Sequence, residues 1–225
     1  MLNKQDYIQA RQSMIESQIH PVGVVSEPLL KAFHVVPREE FVPDDKRGIC
    51  HCDEDIEISK GRYLMEPAVL ARMIQAAKPS KNEVALTIGS GIGYNAAILS
   101  QLVTTVVALD EEEVLLKNAQ ASWDNLSYNN IVAVIGPLVE GAPNNAPYDL
   151  IIINGAVSCI PEEIQKQMSV GGRLVAPVKK TGQTVAKITL VEHIKEGVFS
   201  QRILFDAGTP YLKGFEPKKE FNFDE

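Results

Sequence analysis

The chain reads as an α/β protein, a mostly parallel sheet with helices on both faces and a helical extension at its N-terminal side. From Glu83 onward, short apolar or β-branched runs alternate with helical segments, the rhythm of parallel strands joined by crossovers. Before Glu83 the apolar residues recur mainly at helical intervals. The length, 225 residues, fits one domain with an appendage better than two domains. A chain of this size buries roughly 70–75% of its unfolded surface, so no disulfide or metal is needed to explain folding.

Taken in order, Ile8, Met14, Ile15 and Ile19 predict a helix over Gln5 to Ile19 that Pro21 stops. Ser26 as N-cap, Pro28 in the first turn and the apolar Leu29, Leu30 and Phe33 predict a second. The segment VPREEFVP, Val36 to Pro43, holds two prolines and cannot be regular. Cys52, Ile56 and Ile58 alternate with acids, which suggests a short exposed strand or turn. A third helix fits Glu66 to Ala77. The strand runs are 84–88, 105–109, 131–135, 150–154 and 173–178, with helices over Tyr94 to Leu102, Glu111 to Leu126 and Pro161 to Met168. Thr184 to Glu192 and Gly197 to Phe205 predict a hairpin through a turn at Lys195 to Gly197, and Ala207 to Glu225, rich in Gly, Pro and charge, predicts no regular element. The expected division is a helical extension over 1–80, a sheet core over 81–206 and a tail over 207–225.

Hydrophobic residues make up 45% and charged residues 23% of the chain, with a mean hydropathy of -0.04, which excludes disordered, collagenous and membrane-spanning classes. The net charge of -7 speaks against a nucleic-acid-coating protein, since that affinity comes from clustered cations. The first residues lack the apolar stretch of a secretory signal, and three cysteines are too few and too oddly numbered for a disulfide framework. Both observations place the protein in a cytoplasm. Cys50, His51 and Cys52 lack a second ligand pair, so no metal is expected there.

Val84 to Leu102 is the most informative stretch: a buried-type strand runs into Gly89, Ser90, Gly91 and Gly93, then a helix. The glycines permit a tight turn and close backbone approach, leaving helix N-terminal N–H groups for a ligand. A dinucleotide fingerprint wants its third glycine at 94, where Tyr94 stands; the observed spacing suits S-adenosylmethionine better. Asp110 closes the second strand, where an acid can accept hydrogen bonds from a ribose diol, with Glu111 beside it. Asn154 and Gly155 end the fourth strand, at a carboxyl edge where ligands of such sheets bind.

VPREEFVP at 36–43, GRYLMEP at 61–67, the Gly89 loop with Tyr94 and Ala96-Ala97, APYDLIIINGA at 146–156 and IPEEIQKQMSVGGRLVAPV at 160–178 together resemble the protein-L-isoaspartate O-methyltransferase family over nearly the whole chain. The resemblance implies a Rossmann-like S-adenosylmethionine-dependent methyltransferase that esterifies the free carboxylate of isoaspartyl residues in damaged proteins. It places Leu64, Met65, Glu66 and Pro67 at the acceptor motif, with Met65 and Glu66 at its catalytic positions, and Gly136 near the adenine.

Three departures from the family pattern stand out. Met65 occupies the place of a serine hydroxyl, and Glu66 adds a negative charge beside it. Thr87 replaces an acid two residues before Gly89, and Gly136-Pro137-Leu138 replaces Gly-Asp-Gly. These leave two other readings open: a different small-molecule acceptor, neutral or cationic, or a non-catalytic cofactor-binding or regulatory module. Arg62 is expected either to neutralise an anionic substrate or to sit in a solvated loop, and Tyr94 to pack on the cofactor or on the N-terminal helices.

Overall fold

The computed structural model describes residues 3–217. Asn3 accepts the amides of Gln5 and Asp6 while the Asp6 carboxylate accepts the Asn3 amide, a reciprocal cap that starts α1 (Lys4–Met14). The chain continues as a wider π-helical turn, Ile15–Ile19, up to Pro21. α2 (Glu27–Val35) begins after Ser26 with Pro28 in its first turn. VPREEFVP makes one tight turn, Arg38–Phe41. A small antiparallel hairpin, β1 (Ile56–Ser59) and β2 (Arg62–Leu64), then leads into α3 (Pro67–Ala77).

The central sheet holds β3 (Val84–Ile88), β4 (Thr105–Asp110), β5 (Ile131–Ile135), β6 (Tyr148–Ile153), β7 (Met168–Val178), β8 (Ala186–Lys195) and β9 (Val198–Ala207). Their spatial order is β5-β4-β3-β6-β7-β8-β9, the first five parallel and the last two an antiparallel hairpin at the edge. Ile151, Ile152 and Ile153 are all fully buried in succession, which requires cover on both faces. On one face Ala85, Val106, Ala108 and Ile152 pack beneath α3, α4 (Tyr94–Ser100) and α5 (Glu113–Asn125), and Phe33 and Phe41 of the N-terminal part join the same core.

The other face carries Leu86, Ile88, Leu109, Ile151 and Ile153 against Ile164, Leu138, Leu212 and Phe215. Its cover is mostly turns rather than the expected helix: α6 spans only Glu162–Gln165, and Met168 already begins β7. Gln167 causes the early exit, because its side chain accepts the Ala142 amide and donates to the carbonyls of Glu140 and Glu163, holding the chain off the helical path.

The chain runs from β3 outward through β4 to β5, then returns to the opposite side of β3 to form β6. That reversal opens a crevice at the carboxyl ends of β3 and β6, where open α/β sheets bind their ligands. Gly89 and Asn154 both stand there.

Candidate cofactor cleft and acceptor site

The glycine loop turns tightly back toward β4. The amides of Gly89 and Ser90 donate to the Leu109 carbonyl at 3.0 and 3.1 Å, Gly93 donates to Ser90 at 2.9 Å, and Gly91 donates to the Asp110 carboxylate at 2.7 Å. The N–H groups expected to stay free are therefore satisfied within the chain at these four positions. Gly93 sits at φ 91 with the buried Trp123 indole against it, and the indole N–H donates to the Gly93 carbonyl at 3.0 Å. A Cβ on Gly93 would lie 2.5 Å from Trp123 Cζ2. Tyr94 packs on the N-terminal part: its ring meets Phe33 and Phe41 and lies beneath the Arg38 guanidinium.

Asp110 is fully buried and lies at the end of β4 as expected, but its carboxylate is already engaged. Arg62, 2% exposed, grips it with both terminal nitrogens, Nη1 at 2.9 Å and Nη2 closer still, and the amides of Gly91 and Glu112 supply two further bonds. Arg62 is thus a buried partner of Asp110 rather than a solvated loop residue. Glu111 pairs instead with Lys213 at 3.1 Å, and the Gly136 amide donates to the Asp110 carbonyl.

The acceptor motif is held from behind. Arg38 donates Nε to the Cys50 carbonyl at 2.6 Å and Nη2 to the Met65 carbonyl at 2.8 Å, so VPREEFVP fixes the backbone at Met65. Met65, Asn154 and Gly155 line one cleft with Asp55 and the segment Thr209 to Leu212. Glu66 and Pro67 lie outside it, at the start of α3, where the Asp55 carboxylate accepts the Glu66 amide at 2.9 Å. Asn154 donates to Thr87 Oγ1 at 2.6 Å and accepts from Asn95, so the threonine that replaces an acid serves as an anchor for Asn154.

Burial, and then the neighbouring Asp53 and Asp55, push the Glu66 carboxyl up from its ordinary 4.5 to about 7. Between those two values the folded chain keeps a proton that the unfolded chain has released, so stability falls as pH rises across that window. Glu66→Gln should remove this slope. Urea unfolding at pH 5 to 8 checks this: the advantage of the variant grows with pH, and a constant difference contradicts the assignment.

Residues 9–207 match the family described as Protein-L-isoaspartate(D-aspartate) O-methyltransferase (PCMT). The chain belongs to this family. Protein-L-isoaspartate O-methyltransferase 2 of Pelobacter propionicus is 36% identical over 177 residues, 79% of this chain and 78% of that protein. The protein-L-isoaspartate O-methyltransferase of Desulfosudis oleivorans is 35% identical over 84% of each chain. Among solved structures, a protein-L-isoaspartate O-methyltransferase superposes with a TM-score of 0.78 at 24% identity, covering 91% of this chain and 66% of that one. A second, from Plasmodium falciparum in complex with S-adenosyl-L-homocysteine, gives 0.73 at 16% identity, covering 92% and 98%. The family's fold is the Rossmann-like one of S-adenosylmethionine-dependent methyltransferases, and the sheet order and switch point described above are its framework.

The residues at the switch point fit that methyl donor. Ser90 Oγ and Asn95 Oδ1 are buried beside the loop with no hydrogen-bond partner among the described residues, and such orphans are what the polar end of a bound ligand satisfies. Gly89, Gly91 and Gly155 each leave a face on which only flexible side-chain atoms and, at Gly155, the Leu212 backbone come close. Trp123 and Leu212 carry no expectation from the sequence, and Arg62, expected as an anion neutraliser or a loop residue, is instead the partner of Asp110. Arg62 left one signal, since with Leu64 it occupies an inward position of a period-two strand and so required a buried partner.

Proposed function

We propose that the chain methylates the free carboxylate of L-isoaspartyl residues in damaged proteins, with S-adenosylmethionine as donor. The observation that carries this reading is the family match over residues 9–207, laid on a sheet whose switch point presents the glycine loop and Asp110. When bound, S-adenosylmethionine supplies a methyl group on a sulfonium, which a carboxylate oxygen takes as the carbon–sulfur bond breaks. Gly89, Ser90, Gly91, Gly93, Asp110, Glu111 and Gly136 hold the donor in this reading, while Leu64, Met65, Glu66, Pro67, Asn154 and Gly155 form the acceptor side.

The acceptor carboxylate is already ionised at neutral pH, so no side chain has to remove a proton. The chain's contribution is placement. Arg38 fixes the Met65 backbone, Thr87 fixes Asn154, and the hairpin and tail line the cleft. The ester product then closes to a succinimide by attack of the following backbone nitrogen with loss of methanol, which opens a route back to aspartate. Division into an extension (1–80), a core (81–206) and a tail (207–225), and residence in the cytoplasm, belong to the same reading. No helix among the described residues is long and apolar enough to cross a membrane, and the charge of -7 disfavours nucleic acid as partner.

One observation favours a second acceptor class. Asp55 lines the cleft beside the Met65 thioether, a wall that suits a neutral or cationic group better than a carboxylate. Labelled methyl transfer decides between them: the isoaspartyl reading requires base-labile label on an isoaspartyl peptide and none on its aspartyl isomer. Label on neither, with label on an amine or neutral hydroxyl acceptor, transfers the assignment to the second class. Met65→Ser should raise kcat/KM for the isoaspartyl peptide roughly tenfold, the worth of one added hydrogen bond to the carboxylate; an unchanged value rejects the missing hydroxyl as the limiting feature.

A further inference from the structure

Three side chains converge on the glycine loop and Asp110. Leu212 Cδ1 lies 2.8 Å from where a Cβ on Gly89 would stand, and Leu212 Cβ lies 2.9 Å from the same point on Gly155. Ile58 Cδ1 lies 2.9 Å from the Cβ position of Gly91. Arg62 occupies the Asp110 carboxylate. On the acceptor side Leu212 also walls the cleft it shares with Asp55, Met65, Asn154 and Gly155, which is about 10 Å³, the size of one water.

Ile58 and Arg62 belong to the β1–β2 hairpin, and Leu212 to the segment after β9. That segment is tied down by Ala156 to Pro210 and Leu212 to Ala156 main-chain bonds of 2.8 Å each, by Ser158 to the Phe215 carbonyl at 2.9 Å, and by the Lys213–Glu111 pair at the surface. Accepting the donor assignment above, we propose that Ile58, Arg62 and Leu212 form an internal plug that competes with S-adenosylmethionine for the glycine cradle and Asp110. Binding then requires the hairpin and the 208–215 segment to part.

The elements that must move lie outside the central sheet. A two-stranded hairpin of nine residues, 56–64, is marginal by itself, and the 208–215 segment adds only the single Ala156–Tyr211 bridge, whereas β3, β4 and β6 lie inside the sheet. Apparent affinity falls by the fraction of open molecules, so a plug open in about 1% of them weakens binding about 100-fold. Relieving the plug restores that factor.

Calorimetric titration with S-adenosylhomocysteine tests this on the full chain and on Leu212→Ala and Arg62→Gln, each checked for a cooperative melt. Arg62→Gln leaves Asp110 the amides of Gly91 and Glu112, and Leu212→Ala leaves the main-chain bonds to Ala156. Each folded variant should bind at least tenfold more tightly than the parent. In the parent, saturating ligand should speed amide exchange at 56–64 and 209–215 but not at 84–88. Equal affinities in parent and variants, or unaltered exchange in both segments, overturn the plug while the donor assignment stands. Absence of heat at millimolar ligand in all three folded proteins overturns the donor assignment and the plug with it.

Discussion

Asp110→Asn should lower stability by about 3–5 kcal/mol, because it strips the charge from a site where Arg62 is 2% exposed and has no water to turn to. For a chain of this length, each kcal/mol moves the melting midpoint by roughly 2–4 °C, so a fall of about 6–20 °C is expected. The same substitution removes the acceptor proposed for the ribose diol and should abolish detectable binding of S-adenosylhomocysteine. Arg62→Met combined with Asp110→Asn should recover most of the lost stability, since an apolar replacement of both partners leaves no charge stranded. Chemical denaturation of the single and double variants measures this. A double variant no more stable than Asp110→Asn alone would show that the pair is not the source of the loss.

Gly93→Ala should be nearly as damaging, for a steric reason. The added Cβ meets the Trp123 ring at 2.5 Å, and the backbone stands at φ 91, where a side chain is strained whatever the space. Overpacking contributes about 1–3 kcal/mol and the dihedral about 1–3 kcal/mol more. Trp123→Phe shortens the ring system at the point of collision, so the two substitutions together should cost less than the sum of their separate effects. Additive losses would place the strain in the dihedral alone.

Much of the fold could be read before any coordinates. The runs at 84–88 and 131–135 match β3 and β5 residue for residue, because short runs rich in β-branched and apolar residues that end at a glycine read as strands. α6 was overextended because Ile164 and Met168 stand four apart, a helical spacing, while the Gln167 bonds that break the helix reach residues 25 and 27 positions away. The site shows the same division. Its glycine loop and Asp110 declare themselves by local spacing. The partners of that loop do not: Arg62 is 48 residues from Asp110, Trp123 is 30 from Gly93, and Leu212 lies in a stretch with no periodicity to place it. Spacing encodes neighbours along one element, and these contacts join elements that only the tertiary fold brings together.

A crystal structure of the chain with S-adenosylhomocysteine tests the central claim most directly. The account predicts the ligand against Gly89 to Gly93 with its ribose hydroxyls on the Asp110 carboxylate, Arg62 turned away and Leu212 lifted from Gly89. Ligand bound elsewhere, or a saturated crystal in which Arg62 still grips Asp110 and Leu212 still covers the loop, would contradict it.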